Sequence, residues 1–107
     1  MSAAKRRVPL AAPALVLAAL GSFVTACAPI PRPAVMAEAD RVRMSPAAQQ
    51  AKGDAPTAFA HAEKLQREAE QAFVASDLAA AQMLSERAIA AYAHAHALAR
   101  IARAEQQ

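Results

Sequence analysis

The sequence predicts an all-α fold: an antiparallel helical hairpin, residues 56–75 and 77–105, with a looser helix before it. Two observations carry this. Apolar residues recur at alternating spacings of three and four through both segments, which draws one apolar stripe down each helix. Alanine, the best helix former, dominates the same segments, so intrinsic propensity and periodicity agree. A third observation sets the topology: Ser76-Asp77 is a joint so short that the two helices must fold back on each other.

The elements follow in chain order. Lys5, Arg6 and Arg7 form a positive cluster, an apolar run covers 8–24, and small residues surround Cys27. This is the three-part layout of a secretory signal, so residues 1–26 stand apart from the fold. The run contains Pro9, Pro13 and Gly21, and at about 17 residues it is shorter than the roughly 20 that a membrane-crossing helix needs. Val24-Thr25-Ala26-Cys27 resembles the lipobox of bacterial lipoproteins. The resemblance implies cleavage before Cys27, a diacylglyceryl group on its sulfur, and acylation of the new amino terminus. Two or three acyl chains hold a protein on a membrane far more firmly than one. Ala28, where an aspartate is commonly linked with inner-membrane retention, implies the outer membrane. An exported chain with one cysteine cannot close an internal disulfide, and acylation would consume the thiol. The alternative is also open: Val24-Thr25-Ala26 satisfies the small-residue rule of ordinary signal peptidase, which would release a soluble periplasmic adaptor.

Residues 27–33 read as the lipidated cysteine and a tether. Pro29, Pro31 and Pro33 favour an extended polyproline path, and at 3.1 Å per residue the stretch spans roughly 20 Å. The helical domain is then 34–107. Residues 34–43 form a short helix, with Glu38 facing Arg41 and Asp40 facing Arg43 three positions on. Ser45-Pro46 interrupts it, Ser45 capping a second piece over 46–52. The Gly53-Asp54-Ala55-Pro56 sequence ends that piece, and the region before Pro56 is expected to pack loosely. In 56–75 the stripe is Ala58, Ala62, Leu65, Ala69 and Ala72, flanked by Phe59 and Phe73, and Glu63 precedes Arg67 in the favourable order. Asp77 caps the last helix, whose stripe holds Ala81, Leu84, Ala88, Ala91, Ala95 and Leu98, continued by Ala102. Alanine buries little area, so Leu65, Phe73, Leu84, Ile89, Tyr92 and Leu98 are expected to carry the helix–helix contact. A domain this small is marginal alone, and the early helices or another copy should cover the hairpin.

Residues 35–104 also look like a small alanine-rich helical domain of unknown function that recurs in bacterial envelope lipoproteins. The likeness rests on Ala55-Pro56, Ala62-Glu63-Lys64-Leu65, the Ser76-Asp77 joint and Ala88-Ile89-Ala90. Some relatives carry an OmpA-like peptidoglycan-binding module beside it, and none is expected here, so a cell-wall role would run through another protein.

Composition narrows the function classes. The full chain carries +3, with twelve basic residues against nine acidic; without Lys5, Arg6 and Arg7 the count is nine against nine. A neutral chain whose mature aromatics are Phe59, Phe73 and Tyr92 offers neither the basic patch nor the stacking platform of a nucleic-acid binder. Of His61, His94 and His96, the last pair is two residues apart, about 200° around a helix, whereas helical metal sites use residues three or four apart. No metal is expected. Ser76 and Ser85 lack a nucleophile elbow, and Gly21 and Gly53 build no phosphate loop, so no catalytic residue and no cofactor beyond the acyl lipid on Cys27 are expected. Paired helices with close-contact alanines resemble a tetratricopeptide unit, but such repeats need about three copies. The expected function is a lipid-anchored helical interaction or structural module of the cell envelope. It faces the periplasm, and its partners are the membrane, through the lipid, and an envelope protein or a second copy.

Overall fold

The computed structural model describes residues 28–107, so the signal, Val24, Thr25, Ala26 and Cys27 lie outside the described residues. Residues 32–107 form one unit, and 28–31 belong to another. Among the described residues there are four helices: α1 (Ala34–Arg43), α2 (Pro46–Asp54), α3 (Pro56–Val74) and α4 (Leu78–Gln106).

Each boundary has a local cause. α1 begins after Pro33, which holds an extended conformation (φ −58°, ψ 142°), and ends with Arg41 and Arg43 at its negative dipole end. Ser45 serves both neighbouring helices: its Oγ donates to the Val42 carbonyl at 2.6 Å and accepts from the Ala48 amide at 3.3 Å. Pro46 then occupies the first helical position, where its missing N–H costs nothing. α2 runs through Gly53 to Asp54, two residues beyond the expected end. It stops only at Ala55 (φ −139°, ψ 61°), because the Pro56 ring excludes helical geometry from the preceding residue.

The hairpin joint is a Schellman ending fused to a cap. Ser76 N–H bonds the Phe73 carbonyl and Asp77 N–H bonds the Ala72 carbonyl, both at 2.9 Å. Ser76 takes the left-handed conformation this requires (φ 62°). The Asp77 carboxylate accepts from the Ala80 amide at 3.0 Å, so the residue that closes α3 also opens α4.

α3 and α4 pack as the antiparallel hairpin, and α1 and α2 lie along it, both against α4. Near the joint, Met36 of α1 is fully buried with Ala69 and Ala81, flanked by Ala72, Phe73 and Leu84. Toward the open end, Ala48 and Ala51 of α2 meet Phe59 and Ala62 of α3, and Ala88, Tyr92, Ala95 and Ala99 of α4. The Phe59 and Tyr92 rings meet edge to face, 5.7 Å between centroids. The first two helices therefore run parallel to α4 and antiparallel to α3.

The segment before Pro56 contributes more core than its sequence pattern promised: Met36, Ala39, Ala48 and Ala51 are all buried. That third layer also turns the buried stripes. α3 buries Phe59, Ala62, Gln66 and Ala69, leaving Ala58, Leu65 and Ala72 half-buried. α4 buries Ala81, Ala88 and Ala95 as expected, but Ser85, Tyr92 and Ala99 stand where Leu84, Ala91 and Leu98 were placed. Of the expected packing residues, Tyr92 is buried and Leu65, Phe73, Leu84 and Ile89 are half-buried. Leu98 is 38% exposed. It falls outside the arc because α1 and α2 draw the contact face of α4 toward the groove they fill.

Candidate functional site

Two surfaces stand out, a polar seam where α1 meets α3 and the outward face of α4. The seam is built from side chains that local spacing does not pair. Arg32 Nη1 donates to Glu70 Oε2 at 3.0 Å, and Arg32 Nη2 reaches both Glu70 Oε1 and Asp40 Oδ2, the latter at 2.9 Å. The same guanidinium lies 5.8 Å from the Phe73 ring centroid, within cation–π range. Gln66 Nε2 donates to the other Asp40 oxygen at 2.7 Å. Glu63 Oε1 accepts from both Arg43 Nε and the Tyr92 hydroxyl, each at 2.7 Å.

This network redirects two pairings that helix spacing suggested. Asp40 bonds Arg32 and Gln66, while Arg43 crosses to Glu63. Glu63 in turn is taken by Arg43 and Tyr92, leaving Arg67 exposed on the rim. The Glu38–Arg41 pair does form, as does a looser Lys64–Glu68 contact at 3.9 Å. At the open end Arg103 bonds Asp54, tying the end of α4 to the end of α2.

The electrostatics follow from these partners. Burial pushes the Glu63 carboxyl up, but the Arg43 and Tyr92 hydrogen bonds outweigh it and hold the group below its ordinary range. Arg32 holds Glu70 down against a smaller opposing effect of burial. Burial, and then the Glu63 carboxylate, push the Tyr92 phenol well above its ordinary value. A groove of about 460 Å³ runs along the seam, lined by these charges with Arg67 and Gln71. Glu63 and Glu70, held below the ordinary carboxylate range, are ionised at neutral pH and already engaged, so they accept hydrogen bonds and offer no proton near pH 7. The arrangement binds α1 to α3.

His61 and His94 are exposed, and His96 is half-buried with its Nδ1 lacking a hydrogen-bond partner. No group of three or more metal-binding side chains occurs among the described residues. Sequence periodicity gave no sign of the Arg32–Glu70 or Arg43–Glu63 contacts, because they join residues 38 and 20 positions apart.

The outward face of α4 carries apolar side chains among its exposed Gln82, Glu86, Arg87, His94 and Arg100. Met83 is 46% exposed and Ile101 55%. Ala79, Ala90, Ala93, Ala97 and Ala104 are exposed around them. Ala97, Arg100, Ile101 and Ala104 line a shallow depression there. Among the described residues no helix is long and apolar enough to cross a membrane.

No family model matches the chain, and no curated protein or solved structure does either.

Proposed function

We propose that the chain is a lipid-anchored helical interaction module of the bacterial cell envelope, held by acyl chains on Cys27 at the periplasmic face of the outer membrane and without catalytic activity. The observation that carries this is Val24-Thr25-Ala26-Cys27 at the end of a basic-then-apolar leader. Two structural features support a binding role. The charged seam is consumed in holding the helices together, and α4 presents apolar side chains to solvent that its own fold does not use.

A second reading, a soluble periplasmic adaptor, draws on the same Val24-Thr25-Ala26, which ordinary signal peptidase could also cut. Replacing Cys27 by serine separates the two. Anchoring requires that the wild-type chain take up radiolabelled palmitate and fractionate with membranes, and that Cys27→Ser lose the label and accumulate as precursor. Identical processing of both chains, with an unmodified thiol on Cys27 by mass spectrometry, would leave the soluble adaptor.

A further inference from the structure

We infer that the outward face of α4 is a self-association surface that pairs antiparallel with the α4 of a second copy. This deepens the interaction-module reading by naming the partner, and it does not depend on acylation.

The argument starts from what α4 does with its two sides. Its inward side buries Ala81, Ser85, Ala88, Tyr92, Ala95 and Ala99 against the other three helices. The opposite side should then be charged, as on an ordinary surface helix. Instead its midline reads Ala79, Met83, Glu86, Ala90, Ala97, Ile101 and Ala104, all exposed and, Glu86 apart, apolar. A helix apolar on both sides is one that expects cover on both, and α1, α2 and α3 all lie on the first.

The spacing of this face specifies the cover. Met83, Ala90, Ala97 and Ala104 recur every seven residues, the repeat that keeps one seam against a partner helix. The depression lined by Ala97, Arg100, Ile101 and Ala104 is the four-residue hole of such packing, positions i, i+3, i+4 and i+7. Seating Met83 of an antiparallel second copy in that hole fixes the rest of the register. Ala90 of the second copy then enters the hole of Ala90, Ala93, His94 and Ala97, and its Ala97 enters the hole of Met83, Glu86, Arg87 and Ala90. Each knob meets a hole on an identical surface, which is the self-complementarity a two-fold pair requires. The alanines let the two backbones come close.

Charge selects the direction. Glu86 and Arg100 lie on the same flank of the seam, fourteen residues apart and both exposed. Antiparallel pairing sets Glu86 of each copy beside Arg100 of the other, twice by symmetry. Parallel pairing in register would leave Glu86 of one copy and Arg100 of the other fourteen residues apart along the axis, about 21 Å, and that pair would be lost. The contact runs along an α4 of about 43 Å and leaves α1, α2 and α3 on the outside of the pair.

The test uses the full chain in a Cys27→Ser background, solubilised in non-ionic detergent, so that one introduced cysteine is the lone thiol and acylation plays no part. Ala93→Cys lies beside the two-fold axis and is expected to give a disulfide-linked dimer on mild oxidation. Ala104→Cys, whose two copies lie at opposite ends of the pair, is expected to give none. In sedimentation equilibrium, Glu86→Arg should weaken association about tenfold through two repulsive contacts, and adding Arg100→Glu should restore it. A chain that stays monomeric throughout overturns the inference. So does equal crosslinking at Ala93→Cys and Ala104→Cys, or a double charge variant no better than the single one. Palmitate labelling of the wild-type chain is read separately, so loss of the anchor and loss of the pair are distinct results.

Discussion

Ser85 sits fully buried in the middle of α4 with its hydroxyl unbonded. A buried hydroxyl without a partner carries a desolvation cost of about 1–3 kcal/mol. Ser85→Ala removes that group, leaves the van der Waals outline almost unchanged and substitutes a better helix former. It is expected to stabilise the protein by about 1 kcal/mol, read as a raised denaturation midpoint at unchanged slope. Tyr92 shows the opposite case, a buried polar atom matched by Glu63 at 2.7 Å. The periodicity of the sequence drew its stripe through Ala91, whereas Tyr92, expected at the helix contact for its size, is the residue buried there. Periodicity could not show that a serine would share the stripe, because alternating spacings of three and four fit Leu84 and Ser85 almost equally well.

At the scale of the elements, the hairpin depends on Asp77. One residue supplies the amide that closes α3 and the carboxylate that caps α4. Asp77→Ala keeps the first bond and loses the second, and is expected to cost about 1 kcal/mol, measured by chemical denaturation. Asp77→Asn, which retains the accepting oxygen, should recover most of the loss. The boundaries of α3 and α4 were legible to within a residue or two because proline, the Ser-Asp joint and an unbroken alanine period are all local signals. The firm seating of α1 and α2 was not. Their burial rests on Met36 and three alanines meeting residues far along the chain, and on ion pairs whose partners no helical spacing connects.

For the whole molecule, those ion pairs make stability depend on acidity. Glu63 and Glu70 both have folded-state pKa values below the ordinary carboxylate value of 4.5. Their contribution is therefore complete above that value and is lost as pH falls through the lower folded-state pKa. Glu63, with 18% of its side chain exposed, should supply the larger share; Glu70, at 41%, is screened by solvent. Denaturation midpoints should stay level from neutral pH down to about 5 and fall below it. Combining Glu63→Gln with Glu70→Gln should flatten much of that acid slope; an unchanged slope would show that the seam does not couple to unfolding. The seam was the least legible part of the molecule, since its six charged and amide side chains are commonplace surface residues until the fold sets them side by side.

The course of α1 beside the joint has a consequence for how the chain assembles. A ribosome delivers Met36 long before Ala69 and Ala81, the residues that will enclose it. The two later helices are neighbours in sequence and can zip together from their joint as soon as both exist, since short-range contacts form first. The two earlier helices must wait, their apolar sides uncovered, until the hairpin they pack against is present. The first helix of the domain to be made is thus the last to be sheltered.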